Sequence, residues 1–82
     1  MRRSRFLAPD AQWTWWAWEY DPKDQIFFGI VDGLVVEMGY FSLVELQEAR
    51  GVLGLPIERD MYFTPCRLSE VKARLTAEGK RV

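Results

Sequence analysis

FFGIVDGLVVEMGYFSLVELQEARGVLGLPIERDMYF, residues Phe27 to Phe63, reads as a β-hairpin, a capped helix and a short return strand. Gln25–Val31 has the apolar, aromatic composition of a strand. Asp32-Gly33 is a two-residue hairpin signal, which makes Leu34–Phe41 the next strand of a meander. Gly29 and Gly39 interrupt the strand pattern on either side of that turn, pointing to a bulge or a close backbone approach. Ser42 with Glu45 forms the capping-box pattern S-x-x-E, so a helix of about two turns is expected to follow. Leu43, Val44 and Leu46 give it an apolar stripe, and Gly51 is placed to close it in a left-handed cap. Val52–Pro56 then reads as a loop, and Met61-Tyr62-Phe63 as a strand ending at Thr64-Pro65.

Working outward, Trp13–Tyr20 (WTWWAWEY) is a strand by its aromatic density. Strict alternation puts Trp13, Trp15, Ala17 and Glu19 on one face and Thr14, Trp16, Trp18 and Tyr20 on the other. Both faces are aromatic, which predicts a central strand covered on both sides or one whose open face binds something. Asp21-Pro22-Lys23-Asp24 is a turn, with Pro22 suited to its second position. Arg5–Ala8 is a short edge strand stopped by Pro9. Ser69, with Lys72 where a capping box has Glu, opens a last helix over Glu70–Ala77, and Gly79–Val82 is expected to fray. The fold class that results is α+β: a small antiparallel sheet of three to five strands with two short helices packed mainly on one face. Residues 1–82 form one domain, ordered over about 5–77.

The chain has 82 residues, of which 49% are hydrophobic, enough for a core in one small domain. It has no histidine, which removes the commonest general base and transition-metal ligand, and a single cysteine, Cys66, which cannot form an internal disulfide. No apolar run approaches the ~20 residues that span a bilayer. A cytoplasmic protein is the expectation. The net charge of −1 hides an uneven distribution. Arg2, Arg3 and Arg5 open the chain, residues 10–60 carry ten acids against Lys23, Arg50 and Arg59, and five bases lie in residues 61–82.

Each motif has a chemical and a structural reading. Four tryptophans within six residues could stack on bases or sugars, but their neighbours Asp10, Glu19, Asp21 and Asp24 carry the wrong sign for nucleic acid. Core or protein-contact surface is preferred. Glu19, Glu37, Arg59 and Asp60 could form a carboxylate–arginine site for metal-assisted or acid–base chemistry. Their preferred reading is a structural polar clasp joining the return segment to the sheet. Cys66, beside Arg67 but with no histidine to deprotonate it, is read as a spacer. No catalytic residue, metal or cofactor is expected. The basic ends, Arg2-Arg3-Arg5 and Lys72-Arg74-Lys80-Arg81, could touch phosphates and are read as frayed solubilising tails.

Three pieces together resemble the bacterial family DUF2958. They are Trp16-Ala17-Trp18-Glu19-Tyr20-Asp21, then Phe28-Gly29-Ile30-Val31-Asp32-Gly33, then Glu37-Met38-Gly39-Tyr40-Phe41-Ser42-Leu43 with Glu45-Leu46, leading into Gly54-Leu55-Pro56-Ile57-Glu58-Arg59-Asp60-Met61-Tyr62-Phe63. The resemblance covers about Phe6 to Leu68. It implies an accessory protein of plasmids, phages and other mobile elements, with no catalytic residues to carry over. It also implies that a segment usual before the position of Phe6 is missing, which would leave an apolar patch exposed or favour a homodimer. By analogy of context, the expected function is a non-catalytic protein-interaction module that inhibits a host defence nuclease complex, of the anti-CRISPR type. Its partner would be a CRISPR–Cas or restriction complex subunit, met by an acidic and aromatic surface. Trp13, Trp15, Asp21, Asp24, Asp32, Glu45 and Glu48 are the expected contacts, chosen for exposure and sign. An enzyme built on Glu37, Arg59 and Asp60, and a nucleic-acid-binding accessory protein, are the alternatives.

Overall fold

Aromatic and β-branched side chains dominate the first half of the chain, and such residues pack best on a pleated surface. There the backbone forms four strands in succession: β1 (Ser4–Leu7), β2 (Thr14–Asp21), β3 (Ile26–Asp32) and β4 (Val36–Ser42). Helix α1 (Leu43–Glu48), the two-residue strand β5 (Glu58–Arg59) and helix α2 (Leu68–Ala77) follow. The computed structural model describes residues 3–61 and 63–80. The strands make one antiparallel sheet in the order β4-β3-β2-β1-β5. The α+β class and the antiparallel sheet are as the sequence predicts.

The core has two halves, one on each face of the sheet. Trp15, Ala17, Phe27 and Phe41 are buried on one face under Leu46 of α1, with Ala8 at the margin. Trp16 and Ile30 are buried on the other, under Val71 and Leu75 of α2. The helices therefore lie on opposite faces, and not mainly on one. The cause is visible in β2 and β3, whose alternate residues are apolar on both sides. A strand of that kind needs a cover on each face.

A β-bulge between Ala17 and Glu19 breaks the strict alternation expected of β2. Beyond it Tyr20 stands opposite Phe27, with ring centroids 4.6 Å apart, and Glu19 stands opposite Phe28. Tyr20 thus joins Trp15 and Ala17, and Glu19 changes to the α2 face. Gly29 lies at this irregularity, paired with Ala17; a Cβ there would sit 1.8 Å from the Trp16 carbonyl oxygen. Only glycine permits that approach.

Several boundaries differ from the sequence reading. Asp32 pairs with Val36, so the β3–β4 loop has three residues, 33–35, closed by the Gly33 N–H donating to the Val35 carbonyl at 3.1 Å. The ring of Trp13 packs against Gly33, which sets the turn from a distant part of the chain. Ser42 caps α1 as expected, its hydroxyl accepting from the Glu45 N–H at 3.0 Å. Gly51 does not close the helix in a left-handed conformation; Ala49 is the cap, and its extended backbone ends α1 after six residues. The return strand falls at Glu58–Arg59, before the expected position; Met61 and Phe63 lie outside strands, and Tyr62 is outside the described residues. Helix α2 begins at Leu68 with Arg67 as its cap, and Ser69 lies inside it.

Candidate functional site

Asp21 ends β2, and its carboxylate accepts from the backbone N–H groups of Lys23 at 2.9 Å and Asp24 at 3.4 Å. This is the side-chain turn that aspartate favours. It lets Gln25 adopt a positive φ of 55° before β3 begins. Helix α1 starts beside the same turn, because the Leu43 N–H donates to the Gln25 carbonyl at 2.9 Å. Asp21, Asp24 and Glu45, all exposed, are therefore gathered at one end of the sheet.

Beside Asp21 and Asp24, on the face of the sheet opposite α1, lies a shallow depression of about 310 Å³. Its lining includes Glu19, Asp21, Asp24, Phe28 and Tyr40. Phe28 and Tyr40 face each other across β3 and β4 with centroids 5.2 Å apart, and Tyr40 is 78% exposed. Carboxylates surrounding an aromatic pair form a surface suited to a basic, partly apolar partner. Phe28, Tyr40 and Glu19 were absent from the contacts expected from sequence. The signal for Tyr40 was present in β4, where alternation sets Met38 and Tyr40 on the face opposite Phe41.

The other expected contacts are divided. Glu48 is exposed on α1. Trp15 is only 8% exposed and belongs to the core, so it offers no contact surface. Asp32 is also buried; it accepts from the Lys80 ammonium at 2.5 Å. Trp13 is partly exposed at the opposite end of the sheet from Asp21, on the rim of an apolar cavity of about 510 Å³ shared with Ala8, Ala49 and Val52. Trp13 and Asp32 thus do not share a surface with Asp21 and Asp24.

The expected clasp of Glu19, Glu37, Arg59 and Asp60 is not assembled. Glu37 is exposed on β4, one edge of the sheet, whereas Arg59 is on β5, the other edge. A clasp exists, but with β1: Arg59 donates to the Ser4 hydroxyl at 2.9 Å, and Arg5 forms an ion pair with Asp60. The Asp60 N–H donates to the Arg5 carbonyl at 2.8 Å, completing the join. The basic ends also differ from the expected tails. Arg5 and Lys80 are both engaged with buried or half-buried carboxylates, and the Arg3 guanidinium lies 5.7 Å from the ring of Trp18. Arg2 and Arg81 lie outside the described residues. The hydrogen bond to Asp32 and its negative charge raise the Lys80 pKa above its ordinary 10.5. Cys66 is half-buried against the Trp16 cluster, consistent with its reading as a spacer. Among the described residues no helix is long and apolar enough to cross a membrane.

A family model described as "Protein of unknown function (DUF2958)" matches residues 3–80. The chain belongs to the DUF2958 family. No curated protein and no solved structure matches it. The family match extends beyond the Phe6–Leu68 stretch that carries the resemblance in sequence, taking in both β1 and all of α2.

Proposed function

We propose that this DUF2958 protein is a non-catalytic binding module that presents its acidic end to a basic protein surface. The observation that carries the proposal is the convergence of Glu19, Asp21 and Asp24 around half-buried Phe28 and exposed Tyr40. These acids are held by fixed backbone features: the Asp21 turn and the β2 bulge. A preorganised acidic rim speeds encounter with a positive patch, and an exposed aromatic ring supplies the apolar contact that charge alone lacks. Surfaces that normally bind nucleic acid have this positive character. A DNA- or RNA-binding subunit of a host defence nuclease complex is therefore the partner class proposed, with the acids standing where phosphates would. The mobile-element and anti-CRISPR setting rests on the analogy of context and on this charge pattern.

The test compares the tagged wild type with a Glu19→Lys/Asp24→Lys variant in affinity capture from a defence-competent host, read by mass spectrometry. Both side chains are exposed and neither accepts the turn's hydrogen bonds, which go to Asp21, so the variant is expected to keep the wild-type circular dichroism spectrum. The expected result is near-stoichiometric recovery of a nuclease-complex subunit with the wild type and its loss with the variant. Equal recovery by both, with the variant folded, overturns the acidic-surface reading.

A further inference from the structure

The two edges of the sheet are treated very differently. At one edge β5 is two residues long, lies just after Pro56 and carries Glu58 and Arg59. Short, charged edge strands of that kind resist pairing with another chain. At the other edge β4 runs for seven residues, Val36–Ser42, without proline, lysine or a bulge against β3. Its outer residues on the α2 face are Met38, 41% exposed, and Tyr40. Helix α2 covers Trp16 and Ile30 but leaves this part of the face open.

Gly39 adds a second, independent observation. Its φ is not positive, and a Cβ built there meets no atom within 4 Å. Nothing among the described residues therefore calls for glycine at the middle of β4. Glycine within a strand commonly marks the close approach of another backbone.

We propose that β4 pairs antiparallel with β4 of a second copy of this chain, about a two-fold axis passing at Gly39. The strand is self-complementary in that register. Met38 falls opposite Tyr40 of the second copy and Tyr40 opposite its Met38, on the same face. The two Tyr40 rings become diagonal neighbours, within the ~7–8 Å that aromatic side chains bridge. With Phe28 beside each Tyr40, the aromatic strip becomes continuous across the axis while its outer face stays open. The charges also fit. Glu37 falls opposite Phe41 of the second copy, so the two Glu37 carboxylates are offset by four residues, about 13 Å along the strand. That exceeds the Debye length of ~8 Å at physiological salt, and their repulsion is screened. The paired sheets form one continuous sheet carrying two acidic depressions on the same side.

Cysteine scanning tests the register in a Cys66→Ser background. In the proposed pairing, Gly39 stands opposite itself at a Cα separation of ~4.5–5.5 Å, within disulfide reach. Gly39→Cys is expected to form a disulfide-linked dimer on mild oxidation, and Glu37→Cys is not. In the native Cys66 background, sedimentation equilibrium should give twice the chain mass for the wild type and the single mass for a folded Met38→Lys/Tyr40→Lys variant. A monomeric wild type at high concentration overturns the proposal. So does a Gly39→Cys chain that stays folded without linking, or a Glu37→Cys chain that links as fast.

Discussion

At the residue scale, the glycines divide by what surrounds them, and only part of that division was legible in the sequence. Gly29 and Gly39 look equivalent there, since each interrupts a strand of the same hairpin. The structure pairs them directly, yet Gly29 is pressed against the Trp16 carbonyl while Gly39 has open space about it. The difference depends on which strand has a neighbour on its outer side, and that is decided by strand order. A methyl group at Gly29 meets backbone, which cannot turn aside as a side chain could. Gly29→Ala should therefore cost roughly 2–3 kcal/mol or more, the upper range for overpacking a well-filled site. The same change at Gly39 should alter the stability of the single chain by less than ~0.5 kcal/mol. Chemical denaturation of both variants at low concentration measures the contrast. Equal losses at the two sites would refute the close approach at Gly29.

At the element scale, the start of α1 and the β2–β3 turn were read correctly, the caps expected at Gly51 and Ser69 were not, and signals between elements were missed. The Ser42 cap and the Asp21 turn each depend on residues two or three apart, so the sequence displays them whole. The hairpin loop does not. Asp32-Gly33 suggests a two-residue turn, but Phe27 stacked on Phe41 fixes the register, and Trp13 packed on Gly33 shapes the loop. The faces taken by the helices were hidden for a similar reason, because both sides of β2 and β3 are apolar and either could have been covered. The segment after α1 shows how a distant residue can organise a loop. Asp10 accepts from the Leu53 N–H at 2.7 Å and the Leu55 N–H at 3.4 Å, and its carboxylate fills the space beside Gly51. Asp10→Ala should therefore release that loop while leaving the sheet intact. Amide hydrogen exchange is expected to rise at Leu53 and Leu55, with global stability falling by only about 1 kcal/mol, the net worth of such hydrogen bonds. Unchanged exchange at those two amides would show that the loop is held by something else.

At the scale of the whole molecule, the chain is closed by ion pairs between its ends and its middle. Arg5 meets Asp60, 55 residues away, and Lys80 meets Asp32, 48 residues away. Neither pairing could be read from sequence, where the basic ends look like solvated tails. Both follow from topology: β1 lies beside β5, and the end of α2 comes back over the β3–β4 hairpin. Lys80 is the group through which pH should reveal this closure. Its folded pKa lies above the ordinary 10.5, chiefly because its ammonium donates to the Asp32 carboxylate and also because it feels that negative charge. A raised pKa means the folded chain binds this proton more tightly than the unfolded chain does. The contribution is fully present below 10.5, the unfolded value, and is lost as pH rises through the higher folded value. Lys80→Met keeps much of the apolar stem but removes the charge. The wild type should consequently melt above the variant by a constant margin from neutral pH up to about 10.5, and the margin should shrink beyond it. Thermal melts of the two proteins in parallel cancel the titration of every other group. A margin that vanishes well below that pH, or persists unchanged far above it, would mean that the Lys80–Asp32 pair does not hold α2 to the hairpin.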